Sequence, residues 1–516
     1  MDPGATIDEY LNLTDWRINA NANQGFGVGE MMLDTSGKVV ANYWLDHVFT
    51  PEAGAAHREG AIHIHDLDML AGYCAGWSLR ALLEEGFDGV AGAVYSGPPK
   101  HLTSALGQMV NFLGTLQNEW TGAQSFSSFG TYLAPFVRLD GLTYDQVEQA
   151  IQEFVFNLNV PSRWGTQTPF TNLTIDWSCP PELRDQIPFI GDEPVDFTYG
   201  DLHAEMDLLN RAFIEVMGRG DASGRGSTFP IPTYDTTADF DWDHPNSRRP
   251  FDMTALSSPW GRGCLRPRRR TVAKLADDDL YPCTQRWLPG LDNHFSTLGI
   301  NGVNEMVRNF TRDADDITTA HGHAIGADLL DHIRTRLVAF RESTGHMFNL
   351  EATPTEGATY RVAREDRRRH PGVLQAGTDD EPYHTNSLQL PVDYTDDPFR
   401  ALAEQEDLQS KYPGGTVLHL YLGEALNSGE ACARLVRRSL ENFHLPYVTV
   451  TPTFFICAAH GYHSGGMEAR PTCGGEVEVW TRVMGYFRPV SSFNTGKKGE
   501  YHERLAFVQG LVGSCA

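Results

Sequence analysis

Hydrophobic positions follow two kinds of pattern along the chain, one with helical spacing and one typical of strands. Residues 147–158 place their apolar side chains on one face of a helix, and the Thr and Gln of 143–146 form a capping box in front of it. The runs 170–177 and 445–455 are rich in β-branched and aromatic residues, which favours strands. Helices that alternate with strands predict an α/β fold with a largely parallel sheet.

A second alternating stretch lies near the N-terminus. Residues 62–65 read Ile-His-Ile-His and are followed by Asp66 and Asp68, which predicts a short strand that ends in an acidic turn. Cys74 comes next, on the following loop or at a helix start. The histidines and aspartates could form a metal site in isolation, but no further ligands follow at helical spacing. The alternative for Cys74 is a small buried hydrophobic residue.

The excess of acidic residues excludes some classes of binding partner. Among 516 residues, Lys and Arg number 41 and Asp and Glu number 67, which gives a net charge of −26, and only six of the basic residues are lysines. This argues against non-specific binding to nucleic acid or to anionic membranes. It fits a protein that stays soluble in concentrated salt, as in a halophilic host, although an ordinary acidic cytosolic enzyme is the alternative.

No charged and apolar leader follows Met1, and no run of about 18 apolar residues is present, so the sequence predicts a cytoplasmic protein. The eight cysteines are sparse and irregularly spaced, unlike a disulfide framework. Metal or redox roles are therefore expected for a few of them and burial for the others.

The stretch 457–500 carries the densest candidate chemistry. Cys457 and His460 stand in C-x-x-H spacing, and Cys473 follows within a Gly-Gly turn. Thiolates and imidazoles on two short turns are typical of a structural zinc site, although the second pair is incomplete. His463 or Glu468 could be the fourth ligand. The alternative is a pair of buried cysteines beside a loop histidine.

Several of these stretches occur in the order found in one enzyme family. The block RVMGY around Gly485 follows the zinc-like element, and HIHDLD leads to Cys74 near the start. Residues 291–301 read LDNHFSTLGIN. Residues 348–360 contain NLEATPTEG and are expected to form an extended segment. Over most of its length the chain resembles anaerobic (class III) ribonucleoside-triphosphate reductases, which are glycyl radical enzymes.

The resemblance implies a ten-stranded α/β barrel of the glycyl radical and ribonucleotide reductase type, with a small C-terminal zinc-like element. It implies that ribonucleoside triphosphates are reduced to deoxyribonucleoside triphosphates for DNA synthesis, by glycyl and thiyl radical chemistry. By the same resemblance Gly485 stores the radical, and Cys74 is the second active-site thiol. Glycine suits this role because a radical on its Cα is planar and delocalised over both neighbouring amides. The resemblance places the following residues near the substrate: Asn293, His294, Ser296, Glu351 and Asn386.

The resemblance also implies partners. A separate activating enzyme with an iron–sulfur cluster and S-adenosylmethionine generates the radical in this family. Formate or a thioredoxin-like protein supplies electrons, and the enzyme is a homodimer. The N-terminal regulatory ATP cone of many relatives has no counterpart in this sequence, because the catalytic resemblance begins within the first few dozen residues.

The resemblance breaks at one point and divides the chain. Residues 1–255 match the N-terminal part of the barrel, and residues 269–455 match its C-terminal part. The junction 256–268 replaces roughly a hundred residues of the relatives, including the finger loop whose tip carries the thiyl cysteine. Cys264 lies in the junction, but its surroundings do not match that loop. Residues 456–516 form the zinc-like element and the radical domain.

Two other functions compete with a working reductase. One is a catalytically inactive relative that binds only a nucleotide or a partner, which the missing segment favours. The other is a glycyl radical enzyme of the formate-lyase type, which the HIHDLD and TPTF motifs disfavour because they match reductases.

Overall fold

The structure is a computed structural model. It describes residues 2–21, 25–87, 95–160, 168–222, 226–235, 266–278, 280–288, 290–352, 355–423, 426, 428–457, 461–463, 477–483 and 485–508.

The helices of this part of the chain are α1 (Pro3–Leu11), α2 (Val28–Tyr43), α3 (Pro51–Arg58), α4 (Leu79–Glu85), α5 (Leu102–Leu116), α6 (Phe129–Asp140), α7 (Tyr144–Asn159), α8 (His203–Arg219), α9 (Arg266–Asp277), α10 (Pro282–Trp287), α11 (Val303–Thr311), α12 (Ala320–Thr344), α13 (Glu356–Arg369), α14 (Pro398–Ser410), α15 (Gly429–Asn442) and α16 (Thr495–Glu503). The strands are β1 (Gly72–Trp77), β2 (Trp120–Phe126), β3 (Thr171–Asp176), β4 (Phe189–Ile190), β5 (Glu193–Pro194), β6 (Ile231–Asp235), β7 (Ser296–Gly299), β8 (Phe348–Glu351), β9 (Ala376–Gly377), β10 (Pro382–Tyr383), β11 (Leu418–Leu422), β12 (Val448–Pro452), β13 (Phe454–Cys457), β14 (Gly461–His463), β15 (Val477–Arg482) and β16 (Phe487–Pro489).

A four-stranded parallel sheet, in the order β1-β2-β3-β6, organises the N-terminal half. The helices that connect its strands cover it, and their apolar faces form the largest hydrophobic core with the sheet. Helix α7 begins at the predicted capping box, in which Thr143 and Gln146 cap each other. All the predicted apolar positions of this helix are buried, namely Val147, Ala150, Ile151, Phe154, Val155 and Leu158. The predicted α/β fold with parallel strands is confirmed.

Further strands pair in the second half of the chain. β7 pairs with β8 and β11 with β12, both in parallel, which agrees with the predicted architecture. The strands β14, β13, β15 and β16 form an antiparallel sheet in that order. The hairpin between β15 and β16 carries Gly485, so the candidate radical residue lies at a turn of this last sheet.

Three local predictions are wrong. Residues 62–65 form no strand, and the rings of His63 and His65 pack edge to face instead, with centroids 5.1 Å apart. Cys74 lies within β1 rather than on a loop or at a helix start. Residues 348–360 are extended only at first, because α13 begins at Glu356. For Cys74 the reason is its pairing with β2, a distant segment that a local pattern does not contain.

No helix among the described residues is long and apolar enough to cross a membrane.

Candidate active site

Cys74 occupies an irregular position at the centre of β1. Its side chain is buried, with 1% of its surface exposed, and its backbone has a positive φ of 54°. The pairing with β2 shifts between Tyr73 and Ala75, so that two residues of β2, Gly122 and Ala123, stand opposite Cys74. A positive φ is uncommon for residues other than glycine, and β-bulges often direct a side chain at a functional site.

Two residues of the neighbouring strand β2 accommodate the Cys74 thiol, one through a hydrogen bond and one through its lack of a side chain. The backbone N–H of Ala123 donates a hydrogen bond to Cys74 Sγ at 3.0 Å. Gly122 has a positive φ of 71°, and a Cβ at this position would lie 2.6 Å from Cys74 Sγ. Only glycine leaves room for the thiol there. The two strands therefore hold the sulfur in one place and supply it with a hydrogen-bond donor.

His294 is the predicted substrate residue that the structure brings to Cys74. Its Nε2 lies 3.2 Å from the carbonyl oxygen of Cys74, and its ring packs on Trp120 with centroids 5.2 Å apart. Its own carbonyl accepts a hydrogen bond from Arg269 Nη1 at 2.5 Å. The loop before β7 is thus fixed against the strand that carries the thiol.

A buried carboxylate beside this region was missed by the sequence analysis. Glu119 accepts hydrogen bonds from the backbone N–H groups of Cys283 and Thr284, at 2.9 and 2.6 Å, at the start of α10. Trp120 Nε1 donates to Thr284 Oγ1 at 2.7 Å. Burial, together with the charge of Glu119, raises the pKa of the Cys283 thiol to about 12, so this cysteine stays protonated. The sequence contains no spacing signal for the pair, because 164 residues separate Glu119 from Cys283.

Gly485 lies in a buried turn. The turn joins β15 to β16, and the N–H of Val483 donates to the carbonyl of Tyr486 at 3.1 Å to close it. Gly485 itself is buried, as are Val483 and Tyr486 on either side. The turn therefore shields the Cα of Gly485 from water.

Tyr486 anchors the turn to the rest of the protein. Its hydroxyl donates to Glu356 Oε2 at 2.9 Å, and its ring meets Phe170 edge to face at 6.0 Å between centroids. The carbonyl of Phe170 in turn accepts a hydrogen bond from the N–H of Gln124 at 2.8 Å. Gln124 belongs to β2, the strand that faces Cys74. One ring contact and one hydrogen bond therefore connect the Gly485 turn to the strand beside the thiol.

Asn386 also lies near the segment that follows Gly485. Its Oδ1 accepts a hydrogen bond from Lys497 Nζ at 3.3 Å, and its Nδ2 donates to Glu500 Oε2 at 3.3 Å. Both partners belong to α16, the helix that follows the Gly485 turn. His384 lies two residues before Asn386. Burial lowers the pKa of its imidazole, but hydrogen bonds to Asp366 and Glu305 outweigh burial and raise the pKa to about 9.

The other predicted substrate residues are less closely associated. Ser296 and Glu351 are buried on the neighbouring strands β7 and β8, at opposite ends of the pairing. Asn293 is exposed on the loop before β7. The structure thus joins His294 to Cys74 and Asn386 to α16, and it places the remaining three on or just before the β7–β8 pair.

Only part of the predicted zinc site lies among the described residues. Cys457 is buried at the end of β13, opposite Gly461 and Val477 on its neighbouring strands. The other two predicted zinc ligands, His460 and Cys473, lie outside the described residues, as does Cys264. Where the structure describes the chain, no three His, Cys, Asp or Glu side chains are placed to hold a metal ion.

The histidine-rich segment 62–65 makes contacts with Arg361 and with β1. Arg361 Nη1 lies 3.2 Å from His63 Nδ1, and His65 Nδ1 lies 2.9 Å from Asp66 Oδ1. Burial, together with the neighbouring His65 and Arg361, holds the pKa of His63 well below its usual value, so its imidazole is neutral. The His65 ring also packs on Tyr73, at 5.5 Å, next to Cys74 in β1. The segment supports the strand that carries the thiol.

Comparison with known proteins identifies the family. The family model for anaerobic ribonucleoside-triphosphate reductases matches residues 20–258 and 262–507. The reductase of that name from Salmonella typhimurium is 22% identical over 617 positions, with 96% of this chain and 84% of the relative covered. The corresponding enzyme of Enterobacteria phage T4 is 20% identical, covering 80% of this chain and 82% of the relative.

Solved structures share the fold. A structure described as an anaerobic ribonucleotide reductase superposes with a TM-score of 0.79 at 19% identity, covering 97% of this chain and 93% of the other. The anaerobic ribonucleotide reductase from Thermotoga maritima in complex with dATP and CTP gives a TM-score of 0.75 at 19% identity, covering 96% of this chain and 98% of that one.

The Salmonella alignment also shows a difference in length. Its 617 positions exceed the 516 residues of this chain by about a hundred, so the relative carries segments that have no counterpart here. The family model matches nearly all of this chain in two parts, with a break between residues 258 and 262. The chain belongs to the family of anaerobic ribonucleoside-triphosphate reductases, oxidoreductases that use a glycyl radical.

Proposed function

We propose that this chain reduces ribonucleoside triphosphates to deoxyribonucleoside triphosphates under anaerobic conditions, with Gly485 as the stored radical and Cys74 as an active-site thiol. Family membership gives the reaction, and the buried turn at Gly485 is the observation that carries the assignment of the residue. A glycyl radical supplies a stored unpaired electron for hydrogen abstraction. The chain's own contribution is to exclude water from the turn and to hold it by Tyr486 and Glu356.

The role of Cys74 rests on its geometry. A buried sulfur fixed by a backbone N–H, on a strand with a strained residue, is typical of a preorganised reactive group. The His294 ring contacts the backbone carbonyl of Cys74 on this strand. We propose that His294 also contacts the substrate. Asn293, Ser296, Glu351 and Asn386 remain proposals for the surrounding pocket, as the family resemblance implies. The parallel strands are proposed to belong to the ten-stranded barrel of the family.

We propose that the junction 256–268 stands where relatives carry the finger loop. The break in the family match, between residues 258 and 262, falls within this junction, and the longer Salmonella alignment agrees with a lost segment. The proposed division of the chain is therefore 1–255 and 269–455 for the two parts of the barrel and 456–516 for the radical domain. Cys264 is the thiol nearest to the position of the lost relay cysteine in the sequence.

We propose that zinc stiffens the segment before Gly485. Cys457 is buried at a strand end, one strand away from the hairpin that carries Gly485, which is a suitable place for one ligand. His460 and Cys473 would be the others. Metal analysis of freshly purified protein should find about one equivalent of zinc per chain, as expected for one structural site, and less in Cys457→Ser. Protein without bound zinc would contradict this proposal.

The partners follow from the family. We propose an activating enzyme with an iron–sulfur cluster and S-adenosylmethionine, formate or a thioredoxin-like protein as reductant, and a homodimer. A cytoplasmic location in a halophilic host would fit the charge of −26. These proposals set the conditions of the assay, which is run anaerobically, in high salt, with the activating enzyme present.

Conversion of CTP to its deoxy form tests the function. We expect deoxyribonucleotide that depends on the activating enzyme, and none with Gly485→Ala. Gly107→Ala is the control, because Gly107 is exposed on α5 and a Cβ there meets nothing within 4 Å. Absence of product from a normally activated wild-type protein would favour the inactive relative instead.

A further inference from the structure

Glu119 holds the start of a helix that lies far from it in the sequence. Helix α10 begins with Pro282, which has no N–H, and Tyr281 in front of it does not cap the helix with its own side chain. The N–H groups of Cys283 and Thr284 donate instead to the two carboxylate oxygens of Glu119, at 2.9 and 2.6 Å. Only 7% of the Glu119 surface is exposed. Because a buried carboxylate is costly unless its oxygens are hydrogen-bonded, these two bonds fix the side chain in this one position.

Trp120, the next residue, contacts both the same helix and the strand that carries Cys74. Its Nε1 donates to Thr284 Oγ1 at 2.7 Å. A Cβ at Gly72 would lie 2.5 Å from the indole, so the ring lies directly against the backbone of β1. Glu119 and Trp120 thus join the start of α10 to β2 by hydrogen bonds, and the indole of Trp120 joins both to β1.

The same indole fixes His294. The His294 ring packs on the Trp120 ring with centroids 5.2 Å apart, and His294 Nε2 lies 3.2 Å from the carbonyl oxygen of Cys74. Helix α10 ends at Trp287, and a short loop leads from it to His294. A short loop that starts at a fixed helix leaves its far end little freedom. The position of His294 beside Cys74 therefore depends on the helix that Glu119 holds.

We propose that Glu119 is a positioning residue for the reductase reaction, because by holding α10 against β2 it keeps Trp120 and His294 in place beside the Cys74 thiol. Glu119 acts through His294 rather than on the substrate. A misplacement of about 1 Å at a reacting centre can cost roughly 10²-fold in rate. The proposal rests on the proposed roles of Cys74 and His294, and it adds a side chain to which the reaction itself assigns no part.

Two substitutions remove the carboxylate in steps. Glu119→Gln keeps one acceptor oxygen for one of the two N–H groups, whereas Glu119→Met has nearly the same length and no strong acceptor. We expect kcat for CTP reduction, normalised to the Gly485 radical content of the same sample, to fall roughly 10-fold in Glu119→Gln and roughly 10²-fold in Glu119→Met. The radical content should stay at the wild-type level, because the hydrogen bonds of Glu119 do not involve the Gly485 turn.

Asp397→Ala is the matched control. Asp397 Oδ1 accepts the N–H groups of Phe399 and Arg400 at 2.9 and 3.3 Å, so it also caps a helix, α14, through two backbone donors. Apolar residues of α14 pack in hydrophobic cores other than that of Trp120. We expect Asp397→Ala to lower the unfolding temperature as Glu119→Met does, since both lose a helix cap, but to keep the wild-type kcat.

Hydrogen–deuterium exchange of the full-length protein, without activation, tests the positioning separately from the reaction. In Glu119→Met, exchange should rise in α10, in the loop that holds His294 and in the β1–β2 pair, where the N–H of Ala123 donates to Cys74 Sγ. Exchange in α14 should stay at the wild-type level. In Asp397→Ala the rise should be confined to α14. Glu119→Gln replaces Glu119→Met if the latter does not fold.

Two results would overturn the proposal. One is wild-type exchange of the His294 loop and of β1 in Glu119→Met, which would mean that Glu119 only caps α10. The other is a kcat of Glu119→Met equal to that of an active wild-type enzyme or of Asp397→Ala. An inactive wild-type protein whose Glu119→Met variant shows the raised exchange would instead contradict the proposed function and support the positioning of His294 by Glu119.

Discussion

Replacing Cys74 by serine is expected to abolish deoxyribonucleotide formation, with a loss of at least about 10³-fold in kcat, as when a reacting group is removed. Serine keeps the shape of the side chain, and its hydroxyl can still accept the hydrogen bond of the Ala123 N–H. It cannot replace the thiol in one-electron chemistry, because an O–H bond is much stronger than an S–H bond. The fold and the glycyl radical should remain, and anaerobic product analysis with a radical measurement on the same sample checks both.

Cys179→Ser is the matched control for this loss. Cys179 is half-buried, and burial raises the pKa of its thiol to about 11, so it is a protonated cysteine with no assigned role. We expect this variant to keep wild-type activity. Equal activity of Cys74→Ser and Cys179→Ser would rule out a chemical role for Cys74.

Gly122→Ala is expected to damage both stability and activity. An alanine at a φ of 71° is strained, and its Cβ would lie 2.6 Å from Cys74 Sγ and 2.8 Å from the Tyr73 ring. Backbone strain and overpacking together should lower the free energy of unfolding by about 2–5 kcal/mol. Displacing the thiol by about 1 Å should also lower kcat by roughly 10²-fold. Thermal denaturation and steady-state assays measure the two effects.

The conformational part of this effect can be measured separately. Gly345 has a nearly equal φ of 70° at the end of α12, but a Cβ there would meet nothing within 4 Å. Gly345→Ala should therefore cost only the backbone strain, about 1–2 kcal/mol, and leave kcat unchanged. If both variants lost the same stability and activity, the contact between Gly122 and the Cys74 thiol would contribute nothing to catalysis.

The sequence predicts the elements whose causes are local. The capping box at 143–146 and the apolar face of α7 can be recognised because a helix repeats every 3.6 residues. The family motif around Gly485 is likewise a continuous stretch, and its burial follows from the bulky residues on either side.

The parts that the sequence does not predict are contacts between distant segments. The bulge at Cys74 exists because Gly122 and Ala123 stand opposite it, 48 and 49 residues further on. The cap of α10 by Glu119 spans 164 residues. The Ile-His alternation at 62–65 indicated a strand, yet these residues find no partner strand and pack against Arg361.

The most direct test of the account is electron paramagnetic resonance of the anaerobically activated protein. Incubation with the activating enzyme and S-adenosylmethionine should give a doublet signal from one α-proton, and this signal should be absent in Gly485→Ala. Gly107→Ala, changed on the exposed face of α5, should retain it. A doublet that persists in Gly485→Ala would contradict the assignment of Gly485 as the residue that stores the radical.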